Sequence, residues 1–320
     1  MSLKKDLRYA ACGLLMGSAD IVPGVSGGTV ALILGIYARL VGAISRFDAS
    51  LVGLIARGKF REAALQVDLR FLIALGLGIM TGIAIFATVM SHFLEHYLSY
   101  TMAAFFGLIL GSSWLVASMV RRENAWSYFG AAVIGIVGAL IALAIVTQHS
   151  LGSRPGNIYT FQCGAIAICA MILPGISGAY ILVLLGKYSE ITGIIKNVVH
   201  LDITSEGLVT LGVFALGCGV GLVLFSKVLR WLLARWNAET ISLLCGFMIG
   251  SLYRIWPFQR DLTPEVEKIQ FKRFQPIWPS EINSEVVICL AIAISAVVVV
   301  LVINRFAQRK NQPESQTVSY

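Results

Sequence analysis

One element, present twice, limits what this chain can fold into. Residues Ala19-Asp20-Ile21-Val22-Pro23-Gly24-Val25-Ser26-Gly27-Gly28, running on to Gly35-Ile36-Tyr37, return as Ala170-Met171-Ile172-Leu173-Pro174-Gly175-Ile176-Ser177-Gly178-Ala179, running on to Gly186-Lys187-Tyr188. Aligned without gaps from Ala19 and Ala170, nine of nineteen positions are identical, where a membrane composition gives roughly two by chance. In both copies Pro-Gly interrupts an apolar run, because proline removes a backbone donor and glycine weakens a helix. The chain is therefore an internal duplication with the same helix break in each half. Interrupted apolar segments at matching places in two halves mark the binding region of many membrane transporters.

Composition fixes the solvent. Hydrophobic residues make up 57% of the 320 residues and charged residues 13%, with a mean hydropathy of +0.81; no soluble core of this size hides so much apolar surface. Besides the two interrupted segments, near-spanning apolar stretches occur at Phe71–Met90, Thr101–Met119, Phe129–Thr147, Gly207–Lys227, Thr240–Trp256 and Val286–Asn304, where about 20 residues cross the hydrocarbon. The expectation is an all-α integral membrane protein of inverted-topology internal repeats, each a re-entrant helical hairpin plus three transmembrane helices. It forms one membrane domain over residues 1–305, with repeats at about 8–147 and 158–304, followed by a polar cytoplasmic tail over 306–320. Met1–Ala19 has a signal-like charge pattern but leads straight into the first copy, so it is read as part of the fold. The six cysteines lie in apolar stretches without C-x-x-C or histidine spacing and read as core-filling residues, not metal ligands or disulfides.

The net charge of +8 follows from topology and calls for no nucleic acid. The first interrupted segment, about Arg8–Ile44, has Lys4, Lys5 and Arg8 before it and Arg39, Arg46, Arg57, Lys59, Arg61 and Arg70 after it, so both flanks are cytoplasmic. Alternating from there, Ser91–Ser99 is external, Arg121 and Arg122 internal, and the second interrupted segment, about Ile158–Ile195, starts and ends outside. Lys227, Arg230 and Arg235 return inside, Trp256–Glu285 is an external loop, and both termini are cytoplasmic. This places 17 basic residues inside and 8 outside, Arg254 being counted with the external loop. One hairpin plus three spans is an odd number of crossings, which inverts one half relative to the other. The similarity also continues beyond the breaks: Gly78, Gly82 and Phe86 match Gly217, Gly221 and Phe225, and Gly107 to Ser112 resembles Gly246 to Ser251.

Backbone that leaves helical hydrogen bonding at membrane depth must be buried in protein or line a wet cavity. After each Pro-Gly break a new helix is predicted to start at about Ser26 or Ser177, whose hydroxyl caps free N–H groups. A helix start beside glycines offers backbone donors to a phosphate or carboxylate. Candidate substrate-binding residues are Asp20, Pro23, Gly24, Ser26, Gly27, Gly28 and Thr29 in the first copy, and Pro174, Gly175, Ser177 and Gly178 in the second. The competing reading is packing, since Gly, Ser and Pro also serve close helix approach and kinks; repetition in register favours the cavity. Asp20, whose counterpart is Met171, is either a proton-carrying group or a local cap on the broken helix. Arg39, Lys187 and Glu190, at the far ends of the hairpins, are candidates for headgroup contact or for snorkelling to the interface.

At these residues the sequence resembles the PopT family of bacterial polyprenyl-phosphate translocases, long classed as a domain of unknown function. The match is close at Gly17-Ser-Ala-Asp-Ile-Val-Pro-Gly-Val-Ser-Gly-Gly-Thr29 with Gly35-Ile-Tyr37, and again at Leu173-Pro-Gly-Ile-Ser-Gly178. The resemblance implies a non-enzymatic translocase that returns undecaprenyl phosphate, the lipid carrier of cell-wall sugars, from the outer to the inner leaflet of the bacterial cytoplasmic membrane. Its partners are then the polyprenyl-phosphate lipid and membrane lipids, with no cofactor and with proton coupling through Asp20 as an open option. The residues alone also allow a transporter of a small soluble anion. A lipid-pyrophosphate phosphatase fits less well, since hydrolysis needs a base or nucleophile and cations on the phosphates. His92, His96, His149 and His200 fall near span ends, and no Arg, Glu or His lies between Ile21 and Tyr37.

Overall fold

The computed structural model describes residues 3–21, 26–118, 120, 125–148, 152–199, 202, 204–266, 272 and 274–310. The first half holds α1 (Leu3–Asp20), α2 (Gly27–Ile33), α3 (Tyr37–Ser45), α4 (Ala49–Ala56), α5 (Phe60–Gln66), α6 (Leu69–His96), α7 (Leu98–Ser118) and α8 (Ala125–Val146). The second holds α9 (Asn157–Ile172), α10 (Gly178–Leu184), α11 (Tyr188–Val199), α12 (Ser205–Arg235), α13 (Asn237–Ser251), the strands β1 (Gln259–Asp261) and β2 (Phe274–Pro276), and α14 (Ser284–Lys310). Among the described residues, five helices, α6, α7, α8, α12 and α14, are long and apolar enough to cross a membrane, giving seven spans if α2 with α3 and α10 with α11 each count as one. Their outward side chains, among them Leu77, Leu140, Leu216 and Leu290, are exposed. Such an apolar exterior is solvated by lipid, and the chain is a multi-pass membrane protein.

Glycines set the helix pairing, and they do so alike in both halves. In α1 and α6, Gly13 lies against the Leu75 carbonyl, Gly78 against that of Ala10 and Gly82 against that of Leu14, with no room for a Cβ at any of them. In α9 and α12, Gly164 lies against the Phe214 carbonyl, Gly217 against that of Phe161 and Gly221 against the backbone of Ala165. Each second-half partner is the residue that the internal alignment sets opposite its first-half counterpart. Across the halves the pairing is exchanged: α7 packs on α14 through Gly107 and Gly111, and α13 on α8 through Gly246 and Gly250. In lipid, where apolar side chains gain little by leaving their solvent, such close backbone approach is what drives association.

The structure departs from the sequence reading in several places. Each interrupted segment bends a second time, by 118° between α2 and α3 and by 116° between α10 and α11. Gly35 and Gly186 make these bends with φ of +69° and +71°, a left-handed conformation that glycine adopts without Cβ strain. The predicted span Thr240–Trp256 is a helix of only 15 residues, roughly 22 Å long. Leu244, Met248 and Ile255 on and just beyond it are wholly buried, while Ile249 is exposed, so protein covers most of it and it need not match the bilayer. The basic segment between Arg46 and Arg70 is not plain loop: Asp48 caps α4 by accepting from Ser50 N at 3.0 Å and Leu51 N at 3.2 Å, and Gly58 at φ +70° turns the chain into α5. The all-α expectation gains a small antiparallel ribbon, Gln259 opposite Pro276 and Asp261 opposite Phe274, tied by Lys272 to Asp261 at 2.7 Å. Finally, α14 continues to Lys310, five residues into the predicted tail; residues 311–320 lie outside the described residues.

Candidate functional site

The two breaks meet. Ser26 caps α2 by accepting from Gly28 N at 3.1 Å, while its hydroxyl donates to the carbonyls of Met171 at 3.0 Å and Leu173 at 3.3 Å in the other half. Thr29 Oγ1 accepts from Gly175 N at 2.9 Å. Gly28 makes this approach possible, since a Cβ there would stand 2.5 Å from the Ile172 carbonyl oxygen. Asp20 reaches across its own break, and its Oδ1 accepts from Gly27 N at 2.6 Å. The first donors of α2 are thus taken by Asp20, by the Ser26 hydroxyl and, at Thr29 N, by the Ser26 carbonyl at 2.9 Å. Pro23 and Gly24 lie outside the described residues.

In the second copy the break is a tight turn. Pro174 and Gly175 occupy its central positions, Gly175 has φ +88°, and Ile176 N returns to the Leu173 carbonyl at 3.4 Å, the pattern of a type II turn. Gly175 also touches α13, where a Cβ would come 2.7 Å from the Phe247 carbonyl. Ser177 caps α10 through Tyr180 N at 3.4 Å, and Gly178 lets α10 approach the Ala167 carbonyl. The site is asymmetric despite the duplication. Gly28 and Thr29 are buried in the junction, whereas their counterparts Ala179 and Tyr180 face away from it.

Tyr180 looks into a cavity of about 610 Å³ bounded by the end of α8, α10, the start of α11, the turn after α13 and the β-ribbon. Its ring is fixed by its hydroxyl, which contacts the Val146 carbonyl at 3.1 Å and the Gln148 carbonyl at 3.0 Å. The Arg254 guanidinium sits over that ring, 5.2 Å from its centroid. Burial pulls this guanidinium below its ordinary range, and among the described residues no carboxylate forms a salt bridge with it. Lys272 also lines the cavity, but its ammonium is held by Asp261.

The peripheral candidates are committed elsewhere. Arg39 pairs with Asp68 at 2.7 Å, donates to the Tyr9 hydroxyl and packs against both the Tyr9 and Phe71 rings, each centroid 4.5 Å away. It fastens α3 to α1 and α6. Lys187, buried at 3% exposure, pairs with Glu190 at 2.6 Å. The sequence reading passed over Tyr180 and Arg254. Tyr180 stands where the first copy has Thr29, and Arg254 follows an apolar helix directly, yet only the turn after α13 brings it to α10.

Comparison with known proteins adds a second line of argument. The model of a family described as undecaprenyl phosphate translocase-like matches residues 16–273. The chain is 36% identical over 307 residues to a polyprenyl-phosphate transporter of Vibrio cholerae, covering 93% of this chain and 96% of that protein. It is 30% identical over 256 residues to a polyprenyl-phosphate transporter of Staphylococcus aureus, covering 77% and 84%. No solved structure matches.

Proposed function

Because the chain belongs to the undecaprenyl phosphate translocase-like family, we propose that it carries a polyprenyl phosphate between membrane leaflets, returning the lipid carrier to the cytoplasmic face of the bacterial inner membrane. One observation carries the structural side of this reading: the two helix breaks are hydrogen-bonded to each other through Ser26 and Thr29. In this reading the halves are inverted repeats, the bent pairs α2–α3 and α10–α11 are re-entrant hairpins from opposite faces, and their junction is the barrier that a headgroup crosses. Opening the junction on either side exposes backbone donors at Gly175, Gly178 and Ala179 to a phosphate while the polyprenyl chain stays in lipid. The substrate is moved without bond cleavage, so the residues at the tips bind and gate. Asp20 is the group that takes up a coupling proton: protonation weakens its hold on Gly27 N and frees that donor for the substrate.

The test is leaflet exchange in proteoliposomes, with a short fluorescent polyprenyl phosphate and an impermeant quencher, with and without a pH gradient. Protein-dependent loss of the protected fraction is expected. Transport of a soluble anion in place of the lipid, or release of phosphate from a polyprenyl pyrophosphate, would replace this reading with one of its rivals.

A further inference from the structure

Among the described residues, the cavity beside the second hairpin holds a cation without a counter-ion. A half-buried guanidinium with no carboxylate beside it among the described residues is costly to hold. Arg254 keeps its place by stacking on Tyr180, a contact that offsets only part of the cost of taking its charge partly out of water. Around it stand neutral polar groups, among them Ser153, Ser189, Gln148 and Gln275. The other cation on the wall, Lys272, is already neutralised by Asp261 at 2.7 Å. At about 610 Å³ the space lies within the ~300–1,000 Å³ of small-molecule sites, leaving room beyond a phosphate for the first part of an attached chain.

We propose that Arg254, stacked on Tyr180, is the capture site for a phosphate monoester headgroup on the face of the molecule occupied by the β-ribbon. This inference rests on the translocase reading above and adds to it where the substrate first binds. One free guanidinium with neutral donors fits a single phosphate better than a pyrophosphate, because Arg presents a planar fork to two oxygens of one group. The site adjoins the break: Tyr180, whose ring carries Arg254, is also the residue whose N–H Ser177 caps in the first turn of α10. The first half has no equivalent, since Thr29 stands in the place of Tyr180 and is buried against Gly175. Capture is therefore one-sided, as return of a carrier from one leaflet requires.

The experiment uses the full chain in lipid nanodiscs, with farnesyl phosphate, farnesyl pyrophosphate and inorganic phosphate as probes in a competition assay against a fluorescent polyprenyl phosphate. Wild type should bind farnesyl phosphate at least tenfold more tightly than Arg254→Gln does, with Arg254→Lys in between. Competition by inorganic phosphate as well as by farnesyl phosphate identifies the phosphate itself as the recognised group, and competition by farnesyl phosphate alone adds the chain to the recognition. Equal affinity of wild type and Arg254→Gln overturns the proposal, as does a preference for the pyrophosphate. As a readout that does not depend on the Arg254 variants folding, a cysteine introduced by Ser189→Cys should be shielded from a thiol reagent by farnesyl phosphate; undiminished labelling also overturns it. Failure of wild type to exchange lipid between leaflets, with Arg254-dependent binding intact, would sink the translocase reading while leaving the site in place.

Discussion

Asp20 and Met171 hold the same place in the two copies, yet only the Asp20 side chain carries a strong acceptor, and it takes Gly27 N at 2.6 Å. That geometry separates its two candidate roles. Asparagine keeps the accepting oxygen and loses the titrating group, so Asp20→Asn should melt close to wild type while transport loses its dependence on a pH gradient. Asp20→Ala should lose the cap too, at a cost of about 1 kcal/mol. Thermal melting in detergent and leaflet exchange with and without the gradient read the two effects apart; full gradient dependence in Asp20→Asn would leave the residue a cap alone. Ser26 and Ser177 differ in the same way. Ser26 bridges the halves as well as capping α2, so Ser26→Ala, which strands bonding partners in a buried junction, should cost about 1–3 kcal/mol. Ser177→Ala removes only a cap, about 1 kcal/mol. Equal melting shifts would mean that the junction adds nothing to stability. Arg39→Gln, which breaks the Asp68 pair and leaves two aromatic faces uncovered, is expected to lower stability by about 1–3 kcal/mol with substrate affinity unchanged.

At the scale of elements, the informative feature is the second bend in each interrupted segment. Gly35 and Gly186 share a left-handed backbone, but their surroundings differ: a Cβ at Gly35 meets open space, and at Gly186 it would stand 2.5 Å from Ser153 N. Gly35→Ala should therefore cost only the left-handed strain, roughly 1–2 kcal/mol, and Gly186→Ala more, because the Ser153 backbone must also move. Melting temperatures of the two variants test this, and an equal or reversed order would show that the α10–α11 corner yields more readily than its packing indicates. Gly-x-Tyr is visible in both copies of the sequence, yet nothing in the composition says that it turns the chain by more than a right angle. The break at Pro-Gly was legible because proline and glycine act locally. The bend at Gly35 depends on where α3 is held, chiefly against α12 and through Arg39 on α1 and α6, contacts made across distant sequence.

For the molecule as a whole, the arrangement of charges predicts that a cysteine introduced at Ser50 is labelled only from the cytoplasmic side, and cysteines at Ser99 and Ser280 only from outside. Labelling of Ser50 in intact cells by an impermeant reagent would sink the inverted arrangement and, with it, the assignment of the Arg254 cavity to the outer face. By itself the sequence determined the class, the duplication, the places where helices must break and the serines that restart them, because apolar content, proline, glycine and caps act within a few residues. It could also set Gly78 and Gly82 opposite Gly217 and Gly221, though not say that each pair seats a neighbouring carbonyl. Only the tertiary structure decided that the two breaks bond to each other through Ser26 and Thr29, that their symmetry is lost at Tyr180, and that Arg254 comes to rest over that ring. Those facts join residues 145 or more positions apart in one case and 74 in the other, and helix packing, which no local pattern encodes, is what brings them together.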